Sequence, residues 1–150
     1  MVDRLLPKSM TKRHSGAQIA KWAFALLTVI TIGRSLAHIL LPDSGAQSIA
    51  TIPLDGFTTH GEATVIHLFA LWGLSQLLFG LLYIVVLWRY QALIPLMYLF
   101  ILLEYLGRLL LTFAKPIATR STAPGAIGNY ILIPFALLML VLSLKEQRHA

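Results

Sequence analysis

Four long apolar runs constrain the fold of this chain more than any other feature. They cover residues 19–41, 63–88, 93–114 and 126–144, and a helix of about 20 such residues crosses the hydrocarbon core of a bilayer. A helix is favoured there because it hydrogen-bonds its own backbone, which hydrocarbon cannot do. The sequence therefore predicts an all-α integral membrane protein, a single up-down-up-down bundle of four transmembrane helices. The short link at 89–91 predicts helices two and three as antiparallel neighbours.

Composition agrees with a membrane protein and excludes several classes of site. Of the 150 residues, 57% are hydrophobic and 12% are charged, and the mean hydropathy is +0.77, which is too apolar for a soluble domain. The sequence has no cysteine, so disulfides, thiolate catalysis and cysteine-ligated metals are excluded. The formal net charge is +6, but the basic residues lie mainly at helix ends. Their position indicates a lipid surface as partner and no nucleic acid.

The basic residues also predict an orientation. Most of them lie in the tail at 1–18, at the edge of the first helix, in the turn at 89–91 and in the tail at 145–150, whereas the two long loops carry only Lys115 and Arg120. Because basic segments stay on the cytoplasmic side, we expect both termini in the cytoplasm, in a bacterial inner (plasma) membrane. Run 19–41 lacks a small-residue cleavage pattern at its end, so we interpret it as a transmembrane helix and not as a signal peptide.

A short pattern occurs twice in the predicted helices. The segments Thr31–Pro42 and Leu102–Pro116 each contain a Gly-Arg pair, with a proline eight residues after the arginine. A duplicated two-helix hairpin and chance recurrence in a leucine-rich sequence both account for it. In either case helices one and three run in the same direction, so Arg34 and Arg108 are expected at the same depth.

Charged and imidazole side chains inside the predicted helices form the candidate site. Each charge in a membrane helix costs about 2.5–3.5 kcal/mol on insertion scales, so it needs a partner or a function. At 1.5 Å of rise per residue, these side chains fall in the half of the bundle nearer the long loops, with Glu104 close to the midplane. The predicted ligand-binding residues are Arg34, His38, Glu62, His67, Glu104 and Arg108.

The charge balance of these residues indicates a ligand class. Two arginines and two histidines exceed what two carboxylates neutralise, so the site suits an anionic head group, a carboxylate or a quinone oxygen, with Arg34 and Arg108 as the binding groups. Buried Glu104 is a candidate for proton exchange. We therefore predict a small membrane protein that binds an amphiphilic or anionic molecule in an outer-leaflet pocket, as a minimal transporter or an accessory subunit.

Two alternatives stay open at this point. The ionisable residues could form a purely structural network, with Glu104 paired to one arginine and Glu62 to the other. His38 and His67 could instead ligate a b-type haem in a haem- or quinone-binding anchor of a redox complex. Zinc with Glu62 as a third ligand ranks lower, and otherwise we expect no cofactor.

An enzyme and a self-sufficient monomer are both disfavoured. The sequence contains no HExxH motif, Gly-rich phosphate loop or complete catalytic triad, so a membrane enzyme acting on lipid ranks last. Four short helices seldom enclose a translocation path alone, so we expect a homo-oligomer or a larger membrane complex.

Overall fold

The structure, a computed structural model, describes Leu5 and residues 15–145. Within this part the chain forms four long helices, α1 (Gln18–Leu40), α2 (Thr59–Arg89), α3 (Ile94–Ala114) and α4 (Pro124–Leu144), with 3-10 turns at Leu54–Gly56 and Gln91–Leu93. All four are long and apolar enough to cross a membrane, and the described residues contain no strand. The predicted four-helix transmembrane fold is therefore confirmed. Most of the basic tail at 1–18 and the C-terminal tail after residue 145 lie outside the described residues.

The helix ends differ from the predicted ends by a few residues. The largest difference is at α2, which begins at Thr59 and not at residue 63. The Thr58 hydroxyl accepts a hydrogen bond from the Gly61 amide at 3.2 Å, so Thr58 caps α2. A polar cap allows the helix to start before the apolar run does.

The apolar core lies at one end of the bundle. We call the end where α1 starts and α4 ends the terminal side, and the opposite end the loop side. On the terminal side, the Phe24 ring centroid lies 5.1 Å from that of Tyr83 and 5.7 Å from that of Tyr98. The Tyr98 hydroxyl donates to the Ala20 carbonyl at 2.6 Å. Met139 of α4 belongs to the same buried cluster, so all four helices meet here.

The helices associate as two pairs, α1 with α2 and α3 with α4. Although only a short turn joins α2 and α3, the two helices touch at few residues. The sequence prediction of close neighbours is thus met only near the turn at Tyr90. Further toward the loop side a cleft separates the pairs.

Two glycines of α2 allow α1 to approach closely. A Cβ atom at Gly73 would lie 2.7 Å from the Cβ of His38 and 3.1 Å from the Ser35 carbonyl oxygen, and one at Gly80 would lie 2.7 Å from Cγ1 of Ile32. These distances leave no space for a methyl group. The α1–α2 pair therefore depends on small residues, as is common where helices pack within a membrane.

The first long loop is organised by Asp43. Its carboxylate accepts from the amides of Gly45, Gln47 and Ser48 at 3.0, 3.0 and 2.6 Å, and from the Ser48 hydroxyl at 3.0 Å. Burial alone would raise the pKa of Asp43, but these donors outweigh it and hold the pKa below its ordinary value. The following residues Ala46, Ile52 and Leu54 pack on the first turns of α2.

The two long loops are joined to each other on the loop side. Asp55 and Arg120 form an ion pair, and the Arg120 amide donates to the Thr51 carbonyl at 2.9 Å. The Thr51 hydroxyl donates to the Ser121 carbonyl at 2.8 Å. The α1–α2 and α3–α4 pairs are therefore connected at both ends, by the turn at Tyr90 and by these loop contacts.

We expect Gly73→Ala to lower the free energy of unfolding by about 1–3 kcal/mol, because the new methyl group meets the Cβ of His38 and overpacking of this kind has that cost. The measurement is the Tm in mild detergent. Gly107→Ala is the matched control, since a Cβ there has nothing within 4 Å and alanine favours the helix. Equal shifts in both variants would contradict close packing at Gly73.

We expect Asp43→Asn to lower the Tm at neutral pH, because the amide offers fewer acceptor sites to the loop donors. Asp43 has a lowered pKa in the folded state, so its carboxylate stabilises the fold above the ordinary aspartate pKa of about 4. That contribution to stability is lost as the pH falls through the lowered pKa of Asp43 in the folded state. The Tm difference between wild type and variant should shrink over this range. Glu62→Gln is the control, and a difference independent of pH would exclude this role.

Candidate ligand-binding site

A cleft of about 450 Å³ lies between α2 and α3, with α1 as its floor. Because α1 and α3 run toward the loop side and α2 runs away from it, the residue numbers give the depth of each lining residue. The end nearer the loop side is polar and is lined by Arg34, Trp72, Gln76, Glu104 and Tyr105. The end nearer the terminal side is largely apolar and is lined by Leu27, Phe79, Tyr83, Phe100 and Ile101. The cleft is thus amphipathic along the helix axes.

Arg34 connects the three helices around this cleft. Its Nε donates to Oε1 of Gln76 at 3.0 Å, and its Nη1 donates to the Tyr105 hydroxyl at 3.4 Å. Both partners are neutral, and no described carboxylate forms an ion pair with Arg34. Its positive charge is therefore hydrogen-bonded but has no counter-charge among the described residues.

Arg108, by contrast, has a counter-charge on its own helix. It forms an ion pair with Glu104 one turn away, and its Nε donates to Oε1 of Glu104 at 3.0 Å. The side chains are 20% and 42% exposed, respectively. One of the two ion pairs of the structural alternative is thus present, whereas Glu62 pairs with no described arginine.

Trp72 lies between the two arginines. The guanidinium carbon of Arg108 is 4.7 Å from the Trp72 ring centroid, and that of Arg34 is 5.9 Å from it. Both distances are within the range of cation–π attraction. Because both arginines reach one ring, they lie at the same depth, as the repeated Gly-Arg pattern predicts.

Gln76 contributes an unused donor. Its side chain is only 5% exposed, and its Oε1 faces Arg34, because a guanidinium has no acceptor atom. Its amide Nε2 is buried and has no hydrogen-bond partner among the described residues. A buried donor left in this state costs about 1–3 kcal/mol.

The structure does not bring the two histidines together. His38 is 3% exposed, its Nδ1 donates to the Ser44 carbonyl at 2.7 Å, and its ring centroid lies 4.8 Å from that of Trp72 and 5.8 Å from that of Phe69. His67 is exposed. It precedes Phe69 by two residues, so its side chain points about 200° around α2 from the direction of the Phe69 side chain. The pair therefore does not share a face on which a haem would lie.

Of the six predicted site residues, Arg34 and Glu104 line the cleft, and Arg108 lies beside it, over the Trp72 ring. His38 lies behind Trp72 and holds the first loop, while Glu62 and His67 are apart from the cleft. Among the described residues no group of three His, Asp or Glu could hold a metal ion.

Several hydroxyls near the site are occupied within their own helices. Thr28 donates to the Phe24 carbonyl at 2.8 Å, Ser35 to that of Thr31 at 2.6 Å and Ser75 to that of Leu71 at 3.1 Å. Such bonds to the preceding turn satisfy a hydroxyl without another helix. The donors left for a ligand are thus few, and they are concentrated around Arg34.

Sequence analysis missed three residues of the site: Trp72, Gln76 and Tyr105. One signal was available, because Trp72 and Gln76 are four residues apart and so share a helix face. Their joint contact with Arg34 depends on how α1, α2 and α3 pack, which one sequence does not specify.

Protein-family models, curated proteins and solved structures were compared with this chain, and none of them matches it. The geometry and charge of the cleft are therefore the features that bear on the function.

We expect Glu104→Gln to lower the free energy of unfolding by roughly 1.5–3 kcal/mol, the usual contribution of a hydrogen bond to a charged group, because Arg108 loses its counter-charge. The measurement is the Tm in mild detergent. Glu62→Gln makes the same chemical change where no described residue pairs with the carboxylate, so its Tm should stay near that of wild type. Equal Tm values for Glu104→Gln and wild type would show that the pair contributes nothing.

Proposed function

We propose that this protein binds an amphiphile with an anionic head group in the cleft between α2 and α3. The observation that carries the proposal is Arg34, a guanidinium inside the membrane-spanning part of the chain whose hydrogen-bond partners are both neutral. A charge in this position is costly and is kept with a partner or for a purpose. A bound anion would supply the missing counter-charge.

The charge of the polar end supports an anion. Arg34 and Arg108 contribute two positive charges and Glu104 contributes one negative charge, which leaves a surplus of one positive charge. The Arg34 guanidinium and the Tyr105 hydroxyl are both donors, so they fit oxygen atoms on a ligand. A carboxylate or phosphate head matches both the charge and the hydrogen bonding.

The apolar end supports an amphiphile over a free anion. Leu27, Phe79, Phe100 and Ile101 line the part of the cleft beyond the polar end. A small free anion would leave this surface unused. A head group joined to a hydrocarbon segment occupies both ends.

The proposed ligand and the predicted orientation together indicate a biological role. If the basic segments are cytoplasmic, the polar end lies in the outer half of a bacterial inner membrane. The protein would act there as a minimal transporter or as an accessory subunit of a membrane complex. The half-exposed Glu104 on the flank of α3 supports an oligomer or a larger complex, since a partner would shield it from lipid.

The first experiment is native mass spectrometry of protein released from mild detergent after titration with three ligands of equal hydrophobicity. These are a long-chain fatty acid, the alcohol with the same chain and an alkyl-substituted benzoquinone. We expect saturable binding of one acid per protein, with the alcohol bound at least tenfold more weakly. Equal binding of acid and alcohol would refute the anionic head group, and a preference for the quinone would favour the redox alternative.

We expect Gln76→Glu to abolish binding of the acid while the Tm stays the same or rises, because the new carboxylate would pair with Arg34 and remove the surplus charge. Arg34→Gln should also lose binding, by at least tenfold. Arg120→Gln is the matched control, since it makes the same change in the loop. Retained binding in both Gln76→Glu and Arg34→Gln would exclude Arg34 as the anion site.

A further inference from the structure

Resting on the proposed function, we infer that the ligand is a single-chain acidic lipid that enters the cleft sideways from the bilayer. Its head lies at Arg34, and its chain runs between α2 and α3 toward the terminal side. Three features of the cleft indicate the ligand's shape, its direction and its path of access.

The first feature is the opening on the flank of the bundle. At the rim, Phe79, Phe100 and Leu103 are 53%, 48% and 53% exposed, whereas the floor residues Leu27 and Ile101 are 9% and 4% exposed. The rim belongs to α2 and α3, and both helices span the membrane by length and composition. The cleft therefore opens where lipid chains would be.

The second feature is the set of contacts on the loop side of the cleft. The rings of His38, Phe69 and Trp72 pack against one another at the loop-side end of the cleft. Beyond them, Asp55 and Arg120 join the two long loops. A ligand that enters along the helix axes from this side meets the Trp72 ring and the joined loops, whereas the flank of the cleft is open to the bilayer.

The third feature is the direction of the polarity. From Gln76 at the polar end to Tyr83 at the apolar end, α2 rises about 10 Å, and the charged groups that line the cleft, Arg34 and Glu104, lie at the end nearer the loop side. Arg34 is six residues from the end of α1 at Leu40, which places it about 9 Å inside the span. A two-chain phospholipid keeps its head at the membrane surface. A single chain with a small acidic head can sink to this depth.

The direction of the chain can be read with the tryptophan already in the cleft. The protein has three tryptophans, and Trp22 and Trp88 are 67% and 78% exposed, so Trp22→Phe and Trp88→Phe leave Trp72 as the reporter without disturbing the core. The probes are fatty acids brominated next to the carboxylate or at the chain end, added to the protein in nanodiscs. Bromine near the head should quench Trp72 several-fold more, and the unbrominated acid should reverse the quenching.

A second reporter tests the other end of the cleft. With all three tryptophans replaced by phenylalanine, Phe100→Trp should respond in the opposite order and be quenched most by bromine at the chain end. Quenching of Trp72 by bromine near the head, with no response of the Phe100→Trp reporter to bromine at the chain end, would overturn the inferred direction but leave an anion site at Arg34 intact. A reversed order in both reporters would place the head away from Arg34 and refute the site as well. Absence of saturable quenching by either acid would instead refute the proposed function itself.

The path of access can be tested by cross-linking, because the chain has no cysteine of its own. Ser75→Cys with Leu103→Cys places two thiols on opposite rims of the cleft, and a bismaleimide would bridge them. We expect the association rate of the acid to fall at least tenfold in the bridged protein relative to the same double variant before bridging.

The matched control is a cross-link on the loop side of the bundle. Thr51→Cys with Ser121→Cys bridges the two loops, which already contact each other there, and should leave the association rate unchanged. If the loop bridge slows association and the rim bridge does not, the ligand enters from the loop side and lateral access is refuted.

Discussion

The hydrogen bonds from Arg34 to Gln76 and Tyr105 impose the main constraint on this bundle. In hydrocarbon a guanidinium must be solvated by the protein, so α1 has to bring Arg34 within reach of both α2 and α3. That arrangement needs α1 and α2 to pack closely, and Gly73 and Gly80 provide the space. One charged side chain thus determines how three of the four helices are placed.

The same constraint makes the two ends of the bundle different. On the terminal side, aromatic and aliphatic side chains of all four helices fill the interior. On the loop side of this core, Arg34 keeps α2 and α3 bridged by hydrogen bonds instead of by packed side chains, and a cleft remains between them. Apolar side chains gain little by leaving lipid for a protein interior, so a space open to the bilayer is tolerated more easily than one open to water would be. The cleft is a consequence of how the charge is solvated.

The number of helices and their approximate bounds could be predicted because backbone hydrogen bonding in hydrocarbon leaves few other structures for a long apolar run. The common depth of Arg34 and Arg108 could be predicted because it depends only on rise per residue and helix direction. The membership of the site could be predicted only in part. His67 points away from the cleft because of its angle around α2. Trp72 and Gln76 belong to the cleft because of their own angles around the same helix. These angles become meaningful only once the packing of α1, α2 and α3 is known. The sparse contact between α2 and α3 was missed for a related reason, since a short turn restrains only the residues next to it.

The two arginines differ in how they can enter the membrane during synthesis. Arg108 carries its counter-charge one turn away on α3, so α3 can be inserted with the pair already formed. The described acceptors of Arg34 lie on α2 and α3, both of which are synthesised after α1. The first helix must therefore be inserted while its charge still lacks protein partners. After insertion of α1, lipid head groups and water solvate the guanidinium until the later helices arrive. Association of α1 with these helices therefore follows directly from insertion.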